Sequence, residues 1–200
     1  MVMTRFPSLD LSRGFGGKLL IAMPHLDDSP FEQSVVLMCS HDEEHAFGVI
    51  INKPISGLSV DEVMEEADLE GSDYAADSPV FFGGPVDMQR GAVLHSLDYC
   101  TKDTFRIADG IGLTASEEAL EIICDPIRAP RSSMLVMGHA GWGPDQLDDE
   151  VKRNAWLSIP SSPELVFGAP DDTWTGALGR LGITDLTTLG GAEDLIARPN

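Results

Sequence analysis

The chain has 200 residues, and its 13 Lys and Arg stand against 33 Asp and Glu, a formal net charge of −20. Such a chain repels nucleic acids and anionic membrane surfaces, because affinity for either comes largely from protein cations. A hydrophobic share of 42% and a mean hydropathy of −0.02 exclude a disordered chain, and the longest clean apolar run, Leu19–Met23, falls far short of the roughly 20 residues of a membrane-spanning helix.

One domain over residues 1–200 is expected, with a core from about 12 to 191 and short loose ends. Arg5, Arg13 and Lys18 are not followed by an apolar signal region, so a cytoplasmic chain is expected. Cys39, Cys100 and Cys124 are widely spaced and form no C-x-x-C pair. They read as three buried, reduced thiols rather than a zinc or disulfide framework.

In chain order, Lys18–Met23 predicts a short strand ending at Pro24. The runs Val35–Met38 and Phe47–Ile51 predict a hairpin across the polar stretch Ser40–His45. Ser59 and Glu62 have capping-box spacing, with Val60, Val63, Met64 and Ala67 behind them on one helical face. Val80–Phe82 predicts a strand that stops at Gly83-Gly84-Pro85, with Gly91–His95 as its antiparallel return and Phe105–Ala108 as a further strand. Ser116 caps a helix running to about Cys124, which Asp125-Pro126 ends. Met134–Met137 reads as a buried strand, followed by a glycine loop and a helix from Pro144 to about Trp156. Leu157–Ile159 and Leu165–Phe167 read as short strands, and Asp172–Leu181 as a last helix with Gly182 just past its end. Strands in hairpin-like pairs with helices between the pairs give an α+β class, and their shortness allows a small barrel.

Between Lys53 and Arg90 there is no basic residue, while Asp61, Glu62, Glu65, Glu66, Asp68, Glu70, Asp73, Asp77 and Asp87 all fall there. A solvated helix face is the plain reading, with a cation site or a basic partner's docking surface as the alternative. His41 and His45 are four apart, as in zinc peptidase helices, but lie in the hairpin loop, so no metal is assigned. The segment Gly138-His-Ala-Gly-Trp-Gly-Pro144 has neither Walker nor dinucleotide spacing, and acidic residues crowd the helix start behind it. There is no G-x-S-x-G nucleophile elbow. No cofactor is assigned.

Gly17-Lys-Leu-Leu-Ile-Ala-Met-Pro24, Gly48-Val-Ile-Ile-Asn-Lys-Pro54, Phe82-Gly-Gly-Pro-Val86 with His95 behind it, and the Gly138–Pro144 segment through Gln146-Leu147 and Asn154-Ala-Trp156 resemble the bacterial YqgE/AlgH family in order and spacing. The resemblance covers about Ser12 to Gly191. It implies a single α+β domain with a small, barrel-like mixed sheet wrapped by helices. It carries over no catalytic residues, and members often bear the label of transcriptional regulator. His139 stands where Tyr is common in the family, and Asp145 where Gly is common.

These features favour a non-enzymatic module that binds a protein or small molecule, with direct nucleic-acid binding disfavoured. The binding candidates are Asn52, Lys53, Gly83, Gly84, Pro85, His95, His139, Gly141 and Trp142. The alternative is an enzyme whose pocket lies between Gly83–Pro85 and Gly138–Gly143, with His95 or His139 as general acid–base.

Overall fold

The computed structural model describes residues 14–26, 29–69, 74–75 and 77–184. Its strands are β1 (Lys18–Ala22), β2 (Val35–His41), β3 (Ala46–Ile50), β4 (Pro54–Ser59), β5 (Pro79–Phe82), β6 (Val86–Ser96), β7 (Phe105–Ala108), β8 (Ile111–Thr114), β9 (Ser133–Trp142) and β10 (Trp156–Pro160). The helices are α1 (Val60–Glu66), α2 (Glu117–Ile123), α3 (Gln146–Lys152), α4 (Pro163–Val166) and α5 (Pro170–Arg180). Eight strands form one curled antiparallel half-barrel in the order β10-β1-β2-β3-β9-β6-β8-β7, so the fold is a mixed α+β domain. β5 lies off this path, parallel to β9 and antiparallel to β4.

The central strands are apolar at successive positions because both their faces are covered. In β2, Val35, Leu37 and Cys39 enter one core cluster, together with Trp174, Ala177 and Leu178 of α5. Val36 and Met38 enter a second one, with Leu147 of α3, Trp142 and Trp156. A third cluster seats α1 and α2 against Val80, Val93 and Leu135. No helix of the described residues is long and apolar enough to cross a membrane.

Local signals produced the helix ends. Ser59 Oγ accepts the Glu62 N–H while Glu62 Oε2 accepts the Ser59 N–H at 2.8 Å, a complete capping box. Ser116 Oγ accepts the Ala119 N–H. At the end of α5, Gly182 has φ +77°, and the Ile183 N–H reaches back to the Leu178 carbonyl in a Schellman closure.

The structure corrects several expectations. Gly91–His95 is not the return of β5: it belongs to β6, which pairs with β8 and β9. The glycine segment after Met137 is not a loop but the second half of β9. Leu165–Phe167 is no strand: Pro163 follows Ser162 and opens the short helix α4. The helix after Pro144 is confined to α3, because Asp145 takes φ +57° and Trp156 already begins β10. The strands β4 and β8 were not expected. Cys39 and Cys124 are buried, but Cys100 is exposed. The expected loose ends lie outside the described residues.

Candidate functional site

The two glycine segments meet, and they meet backbone to backbone. The Gly83 N–H donates to the Met137 carbonyl at 2.7 Å, and the Gly83 carbonyl accepts the Ile50 N–H at 2.8 Å. A Cβ on Gly83 would stand 2.3 Å from the Gly138 carbonyl oxygen, and one on Gly84 would stand 2.2 Å from the His139 carbonyl carbon. β9 runs beside β5 up to Met137 and beside β3 from Ala140. At Gly138, with φ +72°, its alternation slips by one. Met134 and Val136 lie in the first core cluster, whereas Ala140 and Trp142 lie in the second. Gly83 and Gly84 are buried in this junction, while Pro85 and Gly141 are exposed at its rim. Here the glycines serve close backbone approach and leave no room for a ligand between the two segments.

The histidines do not share a site. His95 faces Ser133 across the β6–β9 ladder, whereas His139 faces Val86. Six residues of strand separate Ser133 from His139, roughly 20 Å. His95 is fully buried. Its Nδ1 donates to the Ser96 carbonyl at 3.1 Å, since a carbonyl only accepts. Its Nε2 therefore accepts the Thr114 hydroxyl proton at 2.8 Å, and Thr104 Oγ1 stands 2.9 Å beyond. Burial lowers the pKa of His95, opposed by the Ser96 carbonyl and Asp98. His139 is half-buried, tilts over the Phe47 ring at 4.8 Å and has no hydrogen-bond partner for Nδ1. Burial lowers its pKa as well, with Asp87 opposing and Arg90 adding. A pocket holding both glycine segments and His95 as acid–base is thus not assembled.

Trp142 belongs to a structural cluster. Glu150 Oε2 accepts the indole N–H of Trp142 at 2.9 Å and that of Trp156 at 2.8 Å, and Oε1 accepts from Gln146 Nε2 at 2.9 Å. The indoles pack edge to face at 5.9 Å, and Phe31 touches both. The sequence reading missed Glu150. Its signal was a carboxylate four residues after Gln146, on the helix flanked by the two tryptophans. His41 ends β2 with Nε2 3.5 Å from Asp148, and His45 Nδ1 lies 3.0 Å from Asp42. No group of three or more metal-ligating side chains occurs among the described residues.

Asn52 and Lys53 line an open, polar groove of about 540 Å³ with Glu32, Gln33, Asp171 and Trp174. Asn52 Oδ1 accepts the Val35 N–H at 2.8 Å, and Nδ2 donates to the Gln33 carbonyl at 2.9 Å, tying the start of β2 to the end of β3. Lys53 Nζ donates to the Pro30 carbonyl at 2.9 Å. Burial lowers its pKa, and the Glu32 carboxylate opposes the shift. Glu32, Asp171 and Trp174 were not nominated by the sequence, since they come from distant segments. Another groove, of about 530 Å³ beside Phe81, Arg131 and Phe167, holds none of the nominated residues.

The AlgH-like family profile matches residues 19–185. The chain belongs to the AlgH-like family. A UPF0301 protein of Caulobacter vibrioides is 41% identical over 170 residues, covering 84% of this chain and 87% of its own. One from Ruegeria pomeroyi is 45% identical over 173 residues, covering 85% and 93%. The solution structure of the AlgH protein from Pseudomonas aeruginosa superposes with a TM-score of 0.74 at 31% identity, covering 98% of this chain and 99% of that one. In this AlgH-like chain the four family segments fall on β1, on β3 and its exit, on the Gly83–Gly84 junction, and on β9 with α3. Asp145, where the resemblance implies a glycine, sits at φ +57°, which glycine adopts without strain.

Proposed function

We propose that this AlgH-like protein is a non-enzymatic, cytoplasmic regulatory module that engages a small-molecule or protein partner through the groove at Asn52 and Lys53. One observation carries the reading: of the nine residues the sequence nominates, these two line an open polar groove. Gly83 and Gly84 are consumed by the backbone junction, His95 is sealed beneath Thr114, and Trp142 is bound to Glu150. A regulatory role exerted through a partner, rather than by reading DNA directly, accords with a charge of −20.

The test is a ligand-observed NMR screen of small metabolites and short peptides against the wild-type protein and Lys53→Glu. Compounds that bind the first and not the second support the reading. A screen in which no compound separates the two proteins overturns it. Fluorescence anisotropy with duplex DNA at low salt is a second check, in which tight binding would reverse the assignment of partner class.

A further inference from the structure

The groove has a charge pattern that narrows its ligand. Lys53 is half-buried, and its ammonium has three N–H donors. Its Nζ donates to the neutral Pro30 carbonyl, and the charge of Glu32 acts on it, leaving donors of the ammonium for a further acceptor. Elsewhere Arg90, Arg128, Arg131 and Lys152 each hold a carboxylate. A partly desolvated cation with spare donors favours an incoming anion. Glu32, before β2, and Asp171, in the first turn of α5, line the same groove. A ligand bearing only negative charge would meet both of them, and a ligand bearing only positive charge would meet Lys53. Two other lining residues are held in place: Asn52 by two amide bonds to the start of β2, and Trp174 by its indole N–H, which donates to the Ala22 carbonyl at 2.9 Å. The positions of Lys53 and Asp171 are therefore set by rigid elements. A volume of about 540 Å³ lies within the range of small-molecule sites and leaves ample room for an amino acid or a dipeptide.

Resting on the binding role proposed above, we infer that the groove takes a small zwitterion: a molecule of amino-acid or dipeptide size whose carboxylate is held by Lys53 and whose ammonium lies between Glu32 and Asp171. The chemistry is recognition only. No bond is made or broken.

Isothermal titration calorimetry tests it with alanine and dialanine against propionate and ethylamine, which keep only one charge each. The zwitterions are expected to bind at least tenfold more tightly than either single-charge probe. Lys53→Met should lose at least tenfold in affinity, and Asp171→Asn a smaller factor, with both variants melting near the wild type. Equal binding of propionate and alanine would overturn the zwitterion while leaving a binding groove in place. Undiminished binding in both variants, or no binding by any of the four probes, would also overturn it. In the last case the broader binding reading stands or falls separately, on the NMR screen.

Discussion

The Gly83–Gly138 junction and the Asn52–Lys53 groove lie next to each other, joined where the Phe82 N–H donates to the Lys53 carbonyl at 2.8 Å. They are built on opposite principles. The junction consists of backbone in contact with backbone, so side chains are excluded and glycine is required. The groove consists of polar side chains around open space, so backbone contact does not dictate its residue types. The segments most conspicuous in the sequence are thus explained by strand packing, and the proposed binding surface is made of ordinary Asn, Lys, Glu and Asp. In this chain the glycine motifs are evidence about how the half-barrel closes before they are evidence about a ligand.

The sharpest way to break this comparison is Gly84→Ala. Gly84 has φ +147°, and the new Cβ would meet the carbonyl carbon and oxygen of His139, which belong to a buried ladder and cannot rotate away. A loss of about 3 kcal/mol or more is expected, read as a collapse of the melting transition or failure to fold. A Gly84→Ala protein that melts within a few degrees of the wild type would mean that the junction is loose enough to open.

The next largest effect belongs to Glu150→Ala. Trp142 is 4% and Trp156 2% exposed, so removing Glu150 leaves two indole donors unpaired in the core. Each buried unsatisfied donor costs about 1–3 kcal/mol, and the melting temperature should fall accordingly. Glu150→Gln keeps an acceptor oxygen and should cost less. Equal losses in the two variants would show that the carboxylate, not its acceptor geometry, holds the indoles.

What the sequence disclosed divides along the same line. Ser59 with Glu62, Ser116 and Gly182 announce helix ends because capping is chemistry within four residues. Val35–Met38 and Lys18–Met23 announce strands because Val35–Met38 and Leu19–Ala22 are buried on both faces. The pairing of β5 with β9 was hidden, since a parallel partner some 55 residues away leaves no local mark. Gly138, Gly141 and Gly143 looked like a loop because glycine is depleted in strands, yet the slip at Gly138 needs one. Asn52 and Lys53 were found because a polar pair at the end of an apolar strand needs partners. Glu32 and Asp171 were not, because only the fold brings them to the same groove.

A smaller effect distinguishes the sealed His95 from the accessible groove. Burial holds His95 and His139 below their ordinary pKa, so the folded chain resists the proton that the unfolded chain accepts. The sign follows: stability is unaffected above the unfolded pKa of about 6.5, and falls as pH drops below it. Asp98 and Asp149, whose pKa values are lowered by hydrogen bonds from Ser96 and Lys152, contribute a separate loss only below about pH 4. Denaturant midpoints measured from pH 8 to pH 5 should decline in the wild type and decline less in His95→Gln. The same slope in both would remove His95 from the account.

The smallest expected effect is that of Lys53→Met on stability. Lys53 Nζ donates to the Pro30 carbonyl, and the charge of Glu32 acts on it. Its partial burial already disfavours the charged form. Methionine keeps most of the stem's apolar contact and removes the desolvated charge. The carbonyl left behind can turn to water at the groove mouth. The change should therefore stay within about 0.5 kcal/mol, readable as an unshifted denaturation midpoint. A drop comparable to that of Gly84→Ala would make Lys53 part of the closure rather than of a binding surface. The contrast between junction and groove depends on the two variants differing in this way.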